Sequence, residues 1–83
     1  MKLVYFAWMR ERVGLREEEV DLPAGIGTVA ELVAWLKTRG EGYEHAFADE
    51  ATVRAAINQV HARPAASIAG AREIAFFPPM TGG

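Results

Sequence analysis

The end of the chain constrains the fold most, because an apolar run there enters two consecutive prolines and then a short tail. Residues 73–77 alternate as a β-strand would, and Pro78 and Pro79 follow directly. Proline lacks the backbone N–H that a sheet needs and forces the preceding residue into extended geometry. We therefore predict a last strand at 73–77 that leaves the sheet as a stiff segment directed away from the domain.

The four residues after the prolines are Met80, Thr81, Gly82 and Gly83. Fully extended, at about 3.3 Å per residue, they reach about 13 Å, far enough to enter a pocket of another protein. The glycines lack a Cβ and can pass a narrow channel, so the α-carboxylate of Gly83 would arrive at its end. A bare Gly-Gly ending is more often a frayed tail without function. The apolar run and the two prolines before it favour a presented C-terminus.

The composition predicts one small globular domain. The chain has 83 residues, of which 51% are hydrophobic and 24% charged, enough for one core. It has no cysteine, which excludes disulfides, thiolate metal sites and cysteine nucleophiles. Two histidines, His45 and His61, are too few and too far apart to suggest a zinc site, so we assign no metal.

Charge and hydropathy argue against two classes of partner. A formal net charge of −2 without a basic cluster gives no field for a phosphate backbone, so we expect no nucleic-acid partner. No segment approaches the roughly 20 apolar residues of a membrane span, and the start of the chain lacks the features of a secretory signal. We therefore expect a cytoplasmic protein without a membrane partner.

The rest of the chain predicts one main helix and several strands. Thr28 and Glu31 fit a capping box, after which Val29, Leu32 and Leu36 share a helical stripe with Val33, and Gly40 is placed to cap the C-terminus. Alternating segments predict strands, and polar segments predict connections at 10–14 and 41–50, the second with room for a short helical turn. The predicted strands are 2–8, 17–22, 53–58, 60–63 and 73–77. The pattern is α+β, with one helix across a mixed sheet of four to five strands.

No catalytic constellation is present in the sequence. The run from Glu17 to Glu19 is typical of a solvated face, and Ser67 has neither a histidine nearby nor a nucleophile elbow around it. The segment from Gly25 to Thr28 matches neither a dinucleotide fingerprint nor a P-loop and is best explained as a helix start. We predict that the domain has no active site of its own.

Three segments together resemble the MoaD family, the small subunit of molybdopterin synthase. They are Tyr5-Phe6-Ala7 with Arg10-Glu11, then residues 56–59 (Ala-Ile-Asn-Gln), and above all residues 73–83, which end Ala-Phe-Phe-Pro-Pro-Met-Thr-Gly-Gly. The resemblance covers essentially the whole chain. One departure is the segment at 69–72, Ala-Gly-Ala-Arg, where the family usually has an acidic turn. Because Gly70 supplies the backbone freedom, we expect the turn to survive.

The resemblance implies a ubiquitin-like β-grasp domain at 1–79 and a flexible tail at 80–83. Gly83 would be the working residue, and Gly82, Thr81, Met80, Pro79 and Pro78 would present it. An adenylating enzyme of the MoeB type would use ATP to activate its carboxylate, and sulfur would replace AMP to give a thiocarboxylate. In the large subunit, MoaE, this group would donate sulfur to cyclic pyranopterin monophosphate. The resemblance also implies a heterotetramer, a catalytic pocket in the large subunit and no cofactor bound to this chain.

Four side chains are predicted to contact the partners. Phe6 and Phe77 lie on the strand face opposite the predicted helix, and exposed aromatics commonly mark binding patches. His61 and Arg10 are further candidates. Tyr5 and Phe76, which alternate with them, are assigned to the domain's own core.

Three other functions are compatible with a chain that ends in Gly-Gly. A thiamin-type sulfur carrier would supply a thiazole synthase, although the Phe-Phe-Pro-Pro segment argues against it. A protein modifier would be joined through Gly83 to lysines of other proteins. In a plain interaction module, the tail would be inert.

Overall fold

The computed structural model describes residues 1–79. It contains five strands, three α-helices and one short 3-10 helix in these residues. In chain order they are β1 (Lys2–Tyr5), α1 (Trp8–Val13), β2 (Glu17–Glu19), α2 (Val29–Lys37), α3 (Glu41–Ala46), the 3-10 helix (Glu50–Thr52), β3 (Arg54–Ile57), β4 (Val60–Ala62) and β5 (Glu73–Phe77).

The strands form one mixed sheet in the order β2-β1-β5-β3-β4. β1 and β5 are parallel, with Leu3 opposite Ile74 and Tyr5 opposite Phe76, and every other pair is antiparallel. The first and last strands of the chain are therefore neighbours inside the sheet. This is the β-grasp topology that the resemblance implied, and the predicted fold class is confirmed.

The predicted helix is confirmed as α2. The Thr28 hydroxyl accepts a hydrogen bond from the Glu31 N–H at 3.2 Å, and the Glu31 carboxylate accepts one from the Gly27 N–H at 2.9 Å. Two donors at the helix start are thus satisfied. The predicted C-terminus was wrong: the helix ends at Lys37 with Thr38 as its C-cap, and Gly40 instead precedes α3 with a φ of 148°.

Two predicted connections contain helices, and the first predicted strand is shorter than expected. β1 stops at Tyr5, and Ala7 turns the backbone with a φ of 54° into α1, which replaces the predicted loop at 10–14. α1 buries Met9 completely, so it is held by packing as well as by its charged helix formers. The polar segment at 41–50 contains the six-residue α3, more than the predicted helical turn.

The core lies between the helices and one face of the sheet. Each helix contributes to the same buried cluster as the sheet: Met9 from α1, Leu32 and Leu36 from α2 and Ala46 from α3. Phe47, just after α3, packs edge-to-face on Phe76 with ring centroids 5.0 Å apart. We call the opposite sheet surface the outer face.

No helix within residues 1–79 is both long enough and apolar enough to span a membrane.

Candidate functional site

The strand that carries the predicted tail lies in the middle of the sheet. β5 is flanked by β1 and β3, and its Ile74 and Phe76 side chains are fully buried. The parallel ladder continues past β1, because the Phe6 N–H donates to the Phe76 carbonyl oxygen at 3.0 Å. On the other side, Phe77 is in register with Arg54. The strand is thus held by both neighbours up to the residue before the prolines.

Pro78 and Pro79 follow β5 directly and are half-buried. Because proline cannot donate to a strand ladder, the strand ends here, as the sequence predicted. The predicted catalytic residue Gly83 and the presenting residues Met80, Thr81 and Gly82 lie outside the described residues, so their roles stay predictions.

The outer face carries small and aromatic side chains beside the end of β5. Val4, Ala75, Ala56 and His61 form one row across four strands. Neither alanine belongs to the helix-covered core cluster. We define the outer patch by the apolar side chains on this face together with His61, namely Val4, Phe6, Ala56, His61, Ala75 and Phe77.

The structure brings three of the four predicted contact residues together in this patch. Phe6 is 43% exposed, and Phe77 is half-buried with its ring edge-to-face against the exposed His61, 5.3 Å between centroids. Tyr5 and Phe76 are fully buried, so their assignment to the core is confirmed.

Arg10, the fourth predicted contact residue, lies in α1 at the same end of the sheet. Its Nε donates to the backbone carbonyl oxygen of Tyr5 at 3.4 Å, which holds the side chain over the end of β1. The residue is half-buried, and its one side-chain hydrogen bond within residues 1–79 is to Tyr5, which is not part of the outer patch.

A carboxylate cluster that the sequence did not predict ties the helices to the sheet edge. Glu18 of β2 accepts hydrogen bonds from the hydroxyls of Tyr5 at 2.8 Å and Tyr43 at 2.6 Å, and from Arg39 at 2.9 Å. Its side chain is only 11% exposed, so the solvated-face interpretation was wrong for this residue. It holds for Glu17 and Glu19, which are exposed.

Burial and hydrogen bonding oppose each other at Glu18. Burial alone would raise its pKa, but hydrogen bonds from Tyr43, Arg39 and Tyr5 together hold the pKa of this carboxyl below its usual value. Burial and the nearby carboxylate raise the pKa of Tyr43 to about 12, and the same causes raise the pKa of Tyr5. All three donors point at one acceptor, so the cluster is structural, with no group left to act on a substrate.

The turn before β5 survives its altered sequence, as expected. Gly70 adopts a φ of 75°, and the Asn58 side-chain oxygen accepts hydrogen bonds from the N–H groups of Arg72 at 2.9 Å and Glu73 at 3.1 Å. Asn58 itself lies in a two-residue hairpin turn with Gln59, both at positive φ. Asn58 therefore fixes the start of the strand that carries the tail.

The pocket between α2 and the sheet is too small for a ligand. A cavity of about 40 Å³ between α2 and the sheet is lined mainly by apolar side chains such as Val33 and Phe76. Such a volume holds about one water molecule. Within residues 1–79, no three His, Asp or Glu side chains lie close enough together to hold a metal ion.

The sequence model of the ThiS family matches residues 3–83. The chain belongs to the ThiS family. It is therefore a ubiquitin-like sulfur carrier or modifier, and that part of the predicted function is confirmed. No curated protein gave a significant sequence match.

Solved structures similar to this ThiS-family chain share its fold over nearly their whole length. The SAMP1 structure from Haloferax volcanii has a TM-score of 0.71 and 26% identity, and the alignment covers 100% of this chain and 98% of that one. A second structure of H. volcanii small archaeal modifier protein 1 has a TM-score of 0.66 and 27% identity, and the alignment covers 96% of this chain and 97% of that one. A Pyrococcus furiosus protein named provisionally as molybdopterin converting factor, subunit 1, has a TM-score of 0.71 and 26% identity, and the alignment covers 95% of each chain.

Proposed function

We propose that this chain is the sulfur carrier subunit of molybdopterin synthase and that Gly83 acts as a C-terminal thiocarboxylate. The observation that carries the proposal is the position of the outer patch. Phe6 and Phe77 are at least partly exposed on the face away from the helices, at the end of the sheet where β5 passes into Pro78. A carrier that delivers its C-terminus to a pocket of another protein binds that partner beside the point from which the C-terminus leaves.

One further observation supports this pathway over other carriers, and a second is compatible with it. The sequence Ala-Phe-Phe-Pro-Pro before Thr-Gly-Gly resembles the small subunit of molybdopterin synthase. The likeness to the P. furiosus protein, whose name refers to molybdopterin, has the same TM-score and identity as the likeness to SAMP1.

The proposed chemistry activates and then replaces one carboxylate oxygen of Gly83. This oxygen attacks the α-phosphate of ATP in a MoeB-type enzyme, and pyrophosphate leaves. A sulfur nucleophile then attacks the acyl carbon, and AMP leaves as the better leaving group that the bare carboxylate lacks. In the large subunit the thiocarboxylate donates its sulfur to cyclic pyranopterin monophosphate. Two such transfers complete the dithiolene.

In this scheme the chain's own residues bind the partner and position the carboxylate of Gly83. Residues 1–79 form the domain that docks through the outer patch, and residues 80–83 deliver the carboxylate. The pocket and its acid or base groups belong to the large subunit. ATP is bound by the activating enzyme, and we propose no cofactor on this chain.

Intact mass spectrometry tests the proposal directly. After incubation with a MoeB-type enzyme, ATP and a sulfur source, we expect a gain of about 16 Da on Gly83, where sulfur replaces oxygen. A chain lacking Gly82 and Gly83 is the control and should not change. An unchanged mass for the full chain, with the enzyme active on another carrier, would contradict the proposal.

The likeness to SAMP1, a small archaeal modifier, favours a protein modifier as the second candidate. In that case cell extracts would contain conjugates of higher mass that disappear when Gly82 and Gly83 are deleted. The ThiS-family match also fits a thiamin-type carrier, which would co-purify with a thiazole synthase instead of a MoaE-like subunit.

A further inference from the structure

Positive charge is concentrated where β5 leaves the sheet. Arg54 is opposite Phe77 on one side of the strand, and Arg63 follows β4 and borders the same surface cleft as Arg54. On the other side, Arg10 donates to the backbone of the last residue of β1. Three arginine residues therefore lie along the end of the sheet from which the tail leaves, Arg54 and Arg63 on one side of β5 and Arg10 on the other. The Arg54 guanidinium also donates to the Ala51 carbonyl oxygen at 2.8 Å.

These arginines have no ionic partner in the described part of the chain. None of Arg10, Arg54 and Arg63 forms an ion pair within residues 1–79. Two carboxylates in this part of the molecule are already paired: Glu50 borders the cleft but pairs with Lys37 at 3.2 Å, and Glu17 on the outer face pairs with Lys2 at 2.9 Å. A chain of formal net charge −2 thus has a positive rim around the tail exit.

We propose that the protein surface that receives Gly83 is apolar at its centre and carries aspartate or glutamate side chains at its margin, which face Arg10, Arg54 and Arg63. This inference rests on the proposed function, in which the tail is delivered to a partner. An apolar patch with a cationic margin is complementary to such a surface. Exposed charges at the margin of an interface mainly steer the encounter and set the rate of association.

Fast, salt-sensitive association suits a carrier that must bind an activating enzyme and a large subunit in turn. Attraction between exposed charges speeds the approach of two proteins more than it slows their separation. The outer patch would supply contact area, and the arginines would supply rate and orientation.

The test measures association of the full chain with the large subunit of molybdopterin synthase by stopped-flow fluorescence over a range of NaCl concentrations. We expect Arg63→Glu to lower the on-rate roughly tenfold at low salt, and Arg63→Lys to retain it. The difference should disappear near about 1 M salt, where the Debye length falls to about 3 Å.

Arg72→Glu is the matched control. Arg72 is exposed like Arg63, and neither side chain makes a hydrogen bond or ion pair within residues 1–79, but Arg72 lies before β5, at the other end of the sheet. We expect its on-rate to stay close to that of the unaltered chain. Equal melting temperatures of all variants would show that they are folded.

The possible outcomes separate this inference from the proposed function. If the chain binds but Arg63→Glu and Arg72→Glu behave alike, the inference is wrong and the proposed function stands. If the chain neither binds the large subunit nor gains sulfur at Gly83, both are wrong. If the unaltered chain binds a DNA duplex and Arg63→Glu does not, the positive rim binds phosphate instead, and the inference is wrong.

Discussion

At the scale of single residues, the hydrogen bonds of Glu18 are the main feature that the sequence did not predict. One carboxylate binds donors from β1, from α3 and from Arg39, which follows α2. The Arg39 guanidinium also lies over the rings of Trp35 at 5.1 Å and Tyr43 at 4.9 Å. A run of three glutamates gives no sign that its middle member faces inward, because the donors are 13 to 25 residues away in sequence.

Glu18→Gln should destabilise the domain at neutral pH. The amide has no charge and one acceptor oxygen for three donors, so we expect a loss of about 2 kcal/mol in the free energy of unfolding. Glu19→Gln, at a largely exposed position, is the control and should cost little. Urea unfolding measures both, and equal losses would show that the cluster does not stabilise the fold.

At acidic pH, Glu18→Gln should be about as stable to unfolding as the unaltered chain. The folded pKa of Glu18 lies below the ordinary value of 4.5, so its contribution is complete above that pH and disappears as pH falls through the folded pKa. The stability gap between the unaltered chain and Glu18→Gln should therefore persist from neutral pH down to the ordinary value of 4.5 and close as the pH falls through the folded pKa. A gap of constant size would mean that Glu18 is not ionised in the folded protein.

Phe77→Ala should separate docking from stability. Its ring is half-buried on the outer face against His61, whereas Phe76 is fully buried in the core. We expect weaker binding to the large subunit, by about 1–3 kcal/mol, with a nearly unchanged melting temperature. Phe76→Ala is the opposite case and should cost about 3–5 kcal/mol of stability. A large stability loss in Phe77→Ala would place that ring in the core.

At the scale of helices and strands, the sequence predicted elements whose signals are local. The capping box gave the start of α2, and the prolines gave the end of β5. α1 was missed because Ala7, which begins it, has a φ of 54° that favours glycine, so the turn is imposed by surrounding packing. The aromatics Phe6 and Trp8 on either side then favoured a longer strand.

Gly42→Ala tests the packing of α3 on α1. In an open helix alanine is more stable than glycine by about 1 kcal/mol. Here a Cβ at Gly42 would lie 2.5 Å from the Arg12 carbonyl oxygen, so we expect a net loss of about 1–3 kcal/mol instead. Gly27→Ala is the control, because its Cβ would meet only the Glu31 side chain at 3.5 Å. Thermal unfolding gives the sign, and stabilisation by Gly42→Ala would rule out this close approach.

At the scale of the whole molecule, the sequence predicted the β-grasp class, which the sheet order confirms. In the structure, the predicted contact residues Phe6, Phe77 and His61 share one surface. The positive rim could not be predicted, because Arg10, Arg54 and Arg63 are scattered in sequence and the net charge is negative. They share one end of the sheet only because β1 is parallel and β3 antiparallel to β5, which places the end of β1 and the start of β3 on opposite sides of the end of β5.

Division of the molecule into a docking domain and a delivering tail leads to a last prediction. The core cluster, the Glu18 cluster and the outer patch all lie within residues 1–79. A chain that ends at Pro79 should therefore melt at the same temperature as the full chain and still bind the large subunit.

Without a carboxylate within reach, however, the shortened chain should transfer no sulfur, and in excess it should inhibit the full chain competitively. Titration of the shortened chain into a molybdopterin synthase assay measures this inhibition. The Phe77→Ala version of the shortened chain is the control, because it should lose the inhibition while keeping its fold. If the shortened chain does not compete, binding depends on residues 80–83 themselves, and the outer patch is not the docking surface.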